Sequence, residues 1–386
     1  MSRSARTSAA VAGMGGLAAL LWAARELPSQ FGAAATGARR ERVEKSPQYA
    51  AGQFHNRPHP PREATPMSAT LRQLATNKEE RVPRLPVPLV HDTAATFGAG
   101  SDAGSTDGLR VTWLGHATTL VELDDRRVLI DPVWSDRCSP SSLVGPKRLH
   151  EVPVALADLP PIDVVLVSHD HYDHLDMPTI KALAASTEAQ FVVPLGIGAH
   201  LESWAVPVKR ITELDWDEST SVAGIQLVCT PAQHFSGRSL RDRDRTLWAS
   251  WVIASDTHRV FYSGDGGYFD GFAEIGSAHG PFDLALIQVG AYSEGWPEIH
   301  MTPEEGIATA LDVGARVVIP VHWGTFRLAP HPWAEPVDRL WAEAKARDVR
   351  ILVPRPGERV DPTSPADVDP WWQLIAPTPS AVPSTS

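Results

Sequence analysis

The chain has 386 residues, with 35 Lys and Arg against 46 Asp and Glu, a formal net charge of −11. That balance argues against a nucleic-acid partner, because phosphate backbones are bound by basic surfaces. Apolar residues at 43% suffice for a sizeable core, and two cysteines, Cys138 and Cys229, are too few for a disulfide framework or a cysteine-rich zinc module.

Arg3 and Arg6 precede an uncharged run from Ala9 to Ala24, closed by Arg25. The run is shorter than the roughly 20 apolar residues of a membrane span and is rich in Gly and Ala. Residues 1–35 therefore read as an N-terminal apolar leader or anchor. The expected location is membrane-associated or exported, with cytoplasmic as the alternative. Residues 36–108, rich in Pro, Arg, Ser and Gly, read as an extended arm rather than an independent domain.

Residues 109–360 are strongly patterned. RVTWLGHATTLVEL (Arg110 to Leu123) and RRVLIDPVW predict two strands of a hairpin joined at DDRR. DVVLVSH (Asp163 to His169) is a continuous apolar run, the mark of a buried strand. MPTIKALAA predicts a helix, AQFVVPLG a strand and GAHLESWA a helix. IQLVCTPAQH, TLWASWVIAS, HRVFYSGDGG and DLALIQVGAY are further strands. Thr302, Pro303 and Glu305 carry a helix start, with Thr302 as cap, Pro303 in first position and Glu305 completing a capping box. That helix runs to about Val313, and ARVVIPVHWG, PVDRLWAEAKARD and VRILVP follow as strand, helix and strand. Strands in runs of two or three with helices between suit an α/β sandwich of four layers, αββα, rather than a doubly wound parallel sheet. Residues 361–386, rich in Pro, Ser and Thr, read as a flexible tail, except that Trp371 and Trp372 suit a pin onto the body.

The chemistry sits where apolar strands stop. His169 and His171 end one strand, His234 a second, Asp265 a third and His322 a fourth. In Ser168 to Asp176, written SHDHYDHLD, three histidines and three aspartates fall within nine residues. His169 and His171, two apart on an extended segment, project the same way and can chelate one ion. Asp173 and His174 lie on the next turn and can reach a second. Imidazole and carboxylate in this density suit a zinc-type site.

These pieces resemble the metallo-β-lactamase fold superfamily and, within it, the family of N-acylphosphatidylethanolamine-hydrolysing phospholipase D and its bacterial relatives. The matching stretches are SPQYAAGQFHN, TWLGHATTLVE, VLIDPVWSDRCSP, GPKRLHEVP, SHDHYDHLD, PAQHFSGR, DRTLWASWVI, FYSGDGGYF, IGSAHGPFDLALIQVGAY, HMTPEEG and VHWGTF. The resemblance implies a metallo-β-lactamase-like sandwich and two zinc ions. His169, His171 and His234 would hold the first, Asp173, His174 and His322 the second, and Asp265 would bridge them. Iron or manganese suits the same N/O donors. His171 stands where the di-iron redox branch has Glu, and Asp265 where some antibiotic-degrading members have Cys; both differences point to a hydrolase.

Beside the ligands, Asp131 is the candidate to orient a ligating histidine, and His116 is a candidate for the mouth of the site or the core. His300 matches a family histidine near the substrate head group. Arg238, followed by Arg241, Arg243 and Arg245 with Asp242 and Asp244 between, reads as a solvated face or a phosphate-steering patch, with Arg238 as the substrate-binding candidate. Asp170 stands where the phospholipase commonly has Asn. Trp248, Trp251, Trp296, Trp323 and Phe326 read as core. The implied activity is phosphodiester hydrolysis, phospholipase D-type, on N-acylphosphatidylethanolamine-like glycerophospholipids, with Asp173 and Asp265 as catalytic residues. The alternatives are a lactone hydrolase on the same fold and a non-catalytic relative. The partners implied are a phospholipid or other small-molecule substrate, a membrane surface and a second copy of the chain.

Overall fold

The computed structural model of the chain describes residues 27–76, 79–91 and 108–376. The apolar run from Ala9 to Ala24 lies outside the described residues. Among the described residues no helix is long and apolar enough to cross a membrane.

The arm is not a plain extended strap. It folds helix α1 (Gly37–Lys45), a small hairpin of β1 (Tyr49–Ala50) and β2 (Gln53–Phe54), and helix α2 (Met67–Ala75). Val43 and Phe54 are buried in the main core. Arg39 pairs with Glu213 at 2.5 Å and Glu202 at 2.8 Å. The composition hides α1 because its side chains are spent on ion pairs to the body rather than on a continuous apolar face.

One seven-stranded sheet has the order β16 (Arg359–Val360), β3 (Leu109–Gly115), β4 (Thr118–Leu123), β5 (Arg126–Ile130), β6 (Val164–Leu166), β7 (Gln190–Pro194), β8 (Ile211–Leu214). The other has the order β15 (Arg350–Ile351), β14 (Val317–Val321), β13 (Leu284–Gln288), β12 (Arg259–Tyr262), β11 (Ser250–Ala254), β10 (Ile225–Thr230), β9 (Ser219–Val222). The stretch read as one strand from Arg110 to Leu123 is two, β3 and β4. Gly115 at φ +106° and His116 at φ +53° turn the chain between them. A side chain on Gly115 would meet the His150 ring at 2.9 Å, so this turn needs glycine.

Each sheet begins as an antiparallel meander and continues in parallel. β3 and β5 both pair antiparallel with β4, and β5 through β8 are parallel. β10 and β12 both pair antiparallel with β11, and β12 through β15 are parallel. The inner faces meet in one core that includes Val128, Ile130 and Val164 from the first sheet and Leu227, Trp251 and Phe261 from the second. Leu129 and Val165, on the opposite face, pack under α3 (Met177–Ser186) and α4 (Gly198–Ser203) through Ile180, Leu183 and Leu201. The central strands are covered on both sides, which is why they read as continuous apolar runs. Against the second sheet lie α5 (Gly271–His279), α6 (Pro303–Asp312) and α7 (Glu335–Ala346). The capping box of α6 forms: the Glu305 N–H donates to Thr302 Oγ1, and the Thr302 N–H donates to the Glu305 carboxylate at 2.8 Å. Strands β8, β9 and β16 have no counterpart in the sequence reading, since they are short and partly exposed. Cys138 and Cys229 are both free and buried.

In the described part of the C-terminal tail, helix α8 (Trp371–Ile375) buries Trp371 and Trp372. Trp371 packs tilted against Trp323, at 5.8 Å between ring centroids, and Trp323 lies nearly parallel to Trp113 at 5.3 Å. The Trp372 indole N–H donates to Asp338 at 2.8 Å. Trp372→Ala is expected to cost about 3–5 kcal/mol, seen as a lower denaturation midpoint at unchanged m-value. An unaltered midpoint would mean that the tail does not belong to the folded core.

Candidate metal centre

The topology brings the polar residues to one rim. His116 follows β3, Asp131 follows β5, and the segment from His169 to His174 follows β6. His234 follows β10, Asp265 follows β12, and His322 follows β14. All six strands run with their C-terminal ends toward this rim, the side on which open α/β sheets present their ligand sites.

His169 Nε2 lies 2.8 Å from His171 Nδ1, and His234 Nε2 lies 3.3 Å from the same nitrogen. Asp173 Oδ2 lies 3.3 Å from His322 Nε2 and 3.6 Å from His174 Nε2. Between the two sets sits the Asp265 carboxylate. Its Oδ2 is 3.0 Å from both His174 Nε2 and His322 Nε2, 3.9 Å from His169 Nε2 and 4.0 Å from His234 Nε2. The seven ligand candidates therefore converge, and Asp265 joins the two halves.

The donor set fits cations rather than hydrogen bonds alone. His171 Nδ1 faces two other ring nitrogens, and one nitrogen can share a proton with only one of them. His174 Nε2 and Asp265 Oδ1 are buried with no hydrogen-bond partner, an expensive arrangement unless something else satisfies them. Tetrahedral bonds of about 2.0–2.1 Å place ligand atoms about 3.3–3.4 Å apart, and the spacings observed here bracket that value.

Second partners aim the ligands. Asp131 accepts from His174 Nδ1 at 2.6 Å, from the Ser168 N–H at 2.7 Å, from Ser168 Oγ at 2.6 Å and from the Tyr262 hydroxyl. Its bond to Nδ1 turns His174 Nε2 toward the centre. His234 Nδ1 donates to the Ile299 carbonyl at 3.0 Å, which frees its Nε2. His116 is buried and does not line a mouth; its Nε2 lies 2.9 Å from Asp173 Oδ2 and fixes that carboxylate. The arm supplies a partner that the sequence did not reveal. The Asn56 amide donates to the His234 carbonyl at 2.8 Å, and its oxygen accepts the His234 N–H at 3.0 Å and the Trp248 indole N–H at 2.9 Å. Asn56 ends the SPQYAAGQFHN stretch, where nothing about its type or spacing signals a metal role. Asn56→Ala is expected to weaken metal binding about 10–100-fold, the range for lost ligand-orienting partners, measured by chelator competition on folded protein. Unchanged affinity would remove Asn56 from the site.

Arg238 requires a correction. Its side chain is buried under the ligand loop, not open to substrate. Nη1 donates to the carbonyls of Asp170 at 2.6 Å and Leu175 at 2.8 Å, and Nε donates to Gln30 at 2.8 Å. The guanidinium lies over the Tyr172 ring at 4.0 Å. A planar cation with fixed donors suits this bracing of bent backbone. Asp170 is also turned away from the centre, accepting from the Gly237 N–H and Thr246 Oγ1. His300 stands at the other side of the centre, with Nδ1 3.9 Å from Asp265 Oδ2. It forms part of the wall of a cavity of about 510 Å³ that also includes Tyr292, Thr302 and Arg339.

Burial, reinforced by neighbouring imidazoles, holds His169 and His234 well below the usual histidine range. Burial likewise lowers His116 and His300 to about 3. His174 and His322 go the other way: burial opposes their charge, but Asp265 and Asp173, with Asp131 beside His174, outweigh it and raise both. In the metal-free centre His174 and His322 are thus the imidazoles most prone to carry protons beside the carboxylates. A cation must displace those protons, so affinity falls as pH falls. Zinc added to metal-stripped protein at pH 7 is expected to release protons, read by calorimetry in buffers of different ionisation heat. Zinc uptake with no proton release would contradict this charge assignment.

Residues 126–323 match the family described as Beta-lactamase superfamily domain. An uncharacterized protein of Mycobacterium tuberculosis H37Rv is 50% identical over 373 residues, 94% of this chain and 98% of that protein. N-acyl-phosphatidylethanolamine-hydrolyzing phospholipase D 1 of Caenorhabditis elegans is 39% identical over 259 residues, 64% of this chain and 73% of that protein. Among solved structures, a metallo hydrolase of Ignicoccus hospitalis shares the fold, with a TM-score of 0.51 at 21% identity, covering 65% of this chain and 97% of that one. The chain is a metal-dependent hydrolase of the metallo-β-lactamase superfamily and resembles the N-acylphosphatidylethanolamine-hydrolysing phospholipases D.

Proposed function

We propose that the protein hydrolyses phosphodiesters at a dinuclear centre, acting on glycerophospholipids in the manner of a phospholipase D. Zinc is the expected metal, and iron or manganese suits the same donors. The observation that carries this reading is the position of Asp265, whose single carboxylate lies within 3.0–4.0 Å of imidazoles from both halves. A pair of cations held there supplies Lewis acidity and a water acidic enough to react at neutral pH.

The chain's own groups then have defined tasks. Asp131 keeps the His174 ring in one tautomer and one orientation, and His116 does the same for the Asp173 carboxylate. His300, uncharged at neutral pH because burial holds it near 3, stands between the centre and the cavity. There its N–H can donate to a phosphoryl or leaving oxygen without adding charge. Water adds to phosphorus, the bond from phosphorus to the head-group oxygen breaks, and the proton lost by water ends on the departing alkoxide. The products are a phosphomonoester and a free alcohol. A substrate of this class resides in a bilayer, so a membrane surface is the partner this reading calls for.

Elemental analysis is expected to find about two metal ions per chain. A panel of phospholipids and lactones should give phosphatidate release and no ring opening, and His169→Ala should abolish turnover. A preparation that hydrolyses phospholipid at full rate without metal, or that opens lactones and leaves every phosphodiester intact, would overturn the reading.

A further inference from the structure

His234 is held through its main chain by Asn56, but the direction of its ring rests on the Ile299 carbonyl, which accepts from Nδ1 at 3.0 Å. That carbonyl lies in the irregular loop between β13 and α6, the same loop that places His300 beside the centre. A loop carbonyl aims a metal ligand only as firmly as the loop itself is held. Main-chain bonds grip this loop on both sides of Ile299. The Gly267 N–H donates to the carbonyls of Gln233 at 2.9 Å and Glu298 at 3.2 Å, and the Met301 N–H donates to the Gly266 carbonyl at 2.8 Å. A side chain on Gly267 would come within 2.7 Å of the Glu298 carbonyl oxygen, so this approach needs glycine. The loop is thus laid directly over the residues that precede His234 and follow Asp265.

One side chain of the loop completes this grip. The half-buried Glu298 carboxylate accepts from the Gln233 side-chain amide on one oxygen at 3.1 Å and from the Arg62 backbone N–H on the other at 2.6 Å. Gln233 is buried and directly precedes His234. Its amide oxygen is buried without a hydrogen-bond partner, so Glu298 is the sole polar partner of that side chain among the described residues. Removing the carboxylate would leave the Gln233 amide buried and unsatisfied, a state that drives a side chain to move. Arg62 closes the other side: its guanidinium donates to the Pro297 carbonyl at 2.9 Å and pairs with Glu305, beyond His300 in the chain. Both donors to the carboxylate are N–H groups, and only a carboxylate offers each of them an oxygen. A glutamine at this position would accept one and turn its own N–H groups toward the other.

We infer that Glu298 is a positioning residue for the first half of the centre: by joining the arm at Arg62 to Gln233, it fixes the loop whose Ile299 carbonyl orients the His234 ring. The second half, Asp173, His174 and His322, takes its orientation from His116 and Asp131 and is independent of Glu298. This inference rests on the reading of His169, His171 and His234 as ligands of one cation, and adds a residue outside that ligand set.

The test titrates the metal-stripped full chain with cobalt(II), whose visible absorption reports ligand geometry, and measures the affinity of each step by chelator competition. His234→Ala and His322→Ala identify which step belongs to which half. Glu298→Ala is expected to weaken the first-half step about 10–100-fold, to alter its absorption band and to leave the second-half step unchanged. Glu298→Gln should fall between, and Gln233→Ala should weaken the same step. Combining Glu298→Ala with Gln233→Ala should cost no more than the larger single change, since both break one link. A role in stability alone would lower the denaturation midpoint of the metal-free chain without this selectivity. Unchanged affinities in folded variants, equal losses in both steps, or additive losses in the double variant overturn the assignment. Should Glu298→Ala fail to fold, Glu298→Gln and Gln233→Ala decide on the same criteria. A wild-type chain that binds no cobalt overturns the metal-centre reading, and the assignment falls with it.

Discussion

The structure depends on a single buried carboxylate shared by two sets of imidazoles. Asp265 Oδ2 lies 3.0 Å from ring nitrogens of both His174 and His322, with His169, His234 and His300 close behind at 3.9–4.0 Å. No ordinary core would gather these groups, since burying one unpaired charge costs several kcal/mol. The cluster is tolerable because opposite charges interlock within it and because cations can replace its protons. That requirement explains the surrounding architecture. Ligands drawn from two sheets must meet within a few ångströms, and only a rigid, closely packed support can hold them there.

The two sheets supply that support by repeating one plan. In each, a three-stranded meander leads into parallel strands, and the polar residues leave from the same strand ends. His116 after β3 corresponds in place to His234 after β10, and Asp131 after β5 to Asp265 after β12. The corresponding residues divide the labour. In the second sheet they face the centre; in the first they stand one step behind and orient Asp173 and His174. Backbone conformation follows the same demand. His116, Asp131 and His322 all have positive φ, at +53°, +41° and +63°. Non-glycine residues adopt this region at a cost, borne here where strands must turn sharply to deliver a side chain.

The residues that converge on the centre were legible in the sequence because apolar runs that end in His or Asp are conspicuous, and because His169, His171, Asp173 and His174 lie close together. Central strands were legible for a related reason: burial on both faces makes them uniformly apolar. What escaped was everything whose role depends on a partner far away in the chain. Asn56 lies 178 residues from His234 and belongs to a polar stretch with no period. Arg238 was misread because four arginines in close succession suggest an anion patch, and only the fold shows that the first of them turns inward beneath the ligand loop. The strands β3 and β4 were merged because Gly115 and His116 turn the chain without any of the usual loop residues beyond one glycine.

The portion of the chain matched to the superfamily, residues 126–323, contains all seven ligand candidates, yet it does not contain the groups that hold several of them in place. His234 is gripped through both of its backbone atoms by Asn56. Asp173 is fixed by His116. The Trp323 ring, next in sequence to His322, is packed between Trp113 from the first sheet and Trp371 from the tail. The arm and the described part of the tail thus return to the same rim. The superfamily segment supplies the atoms that could meet a metal, while the angle and firmness with which they are held are set in part by segments outside it. Here the arm bears Arg62 and Glu63 on the wall of the cavity beside His300 and Asn56 on His234, so one stretch of backbone joins that cavity to the centre.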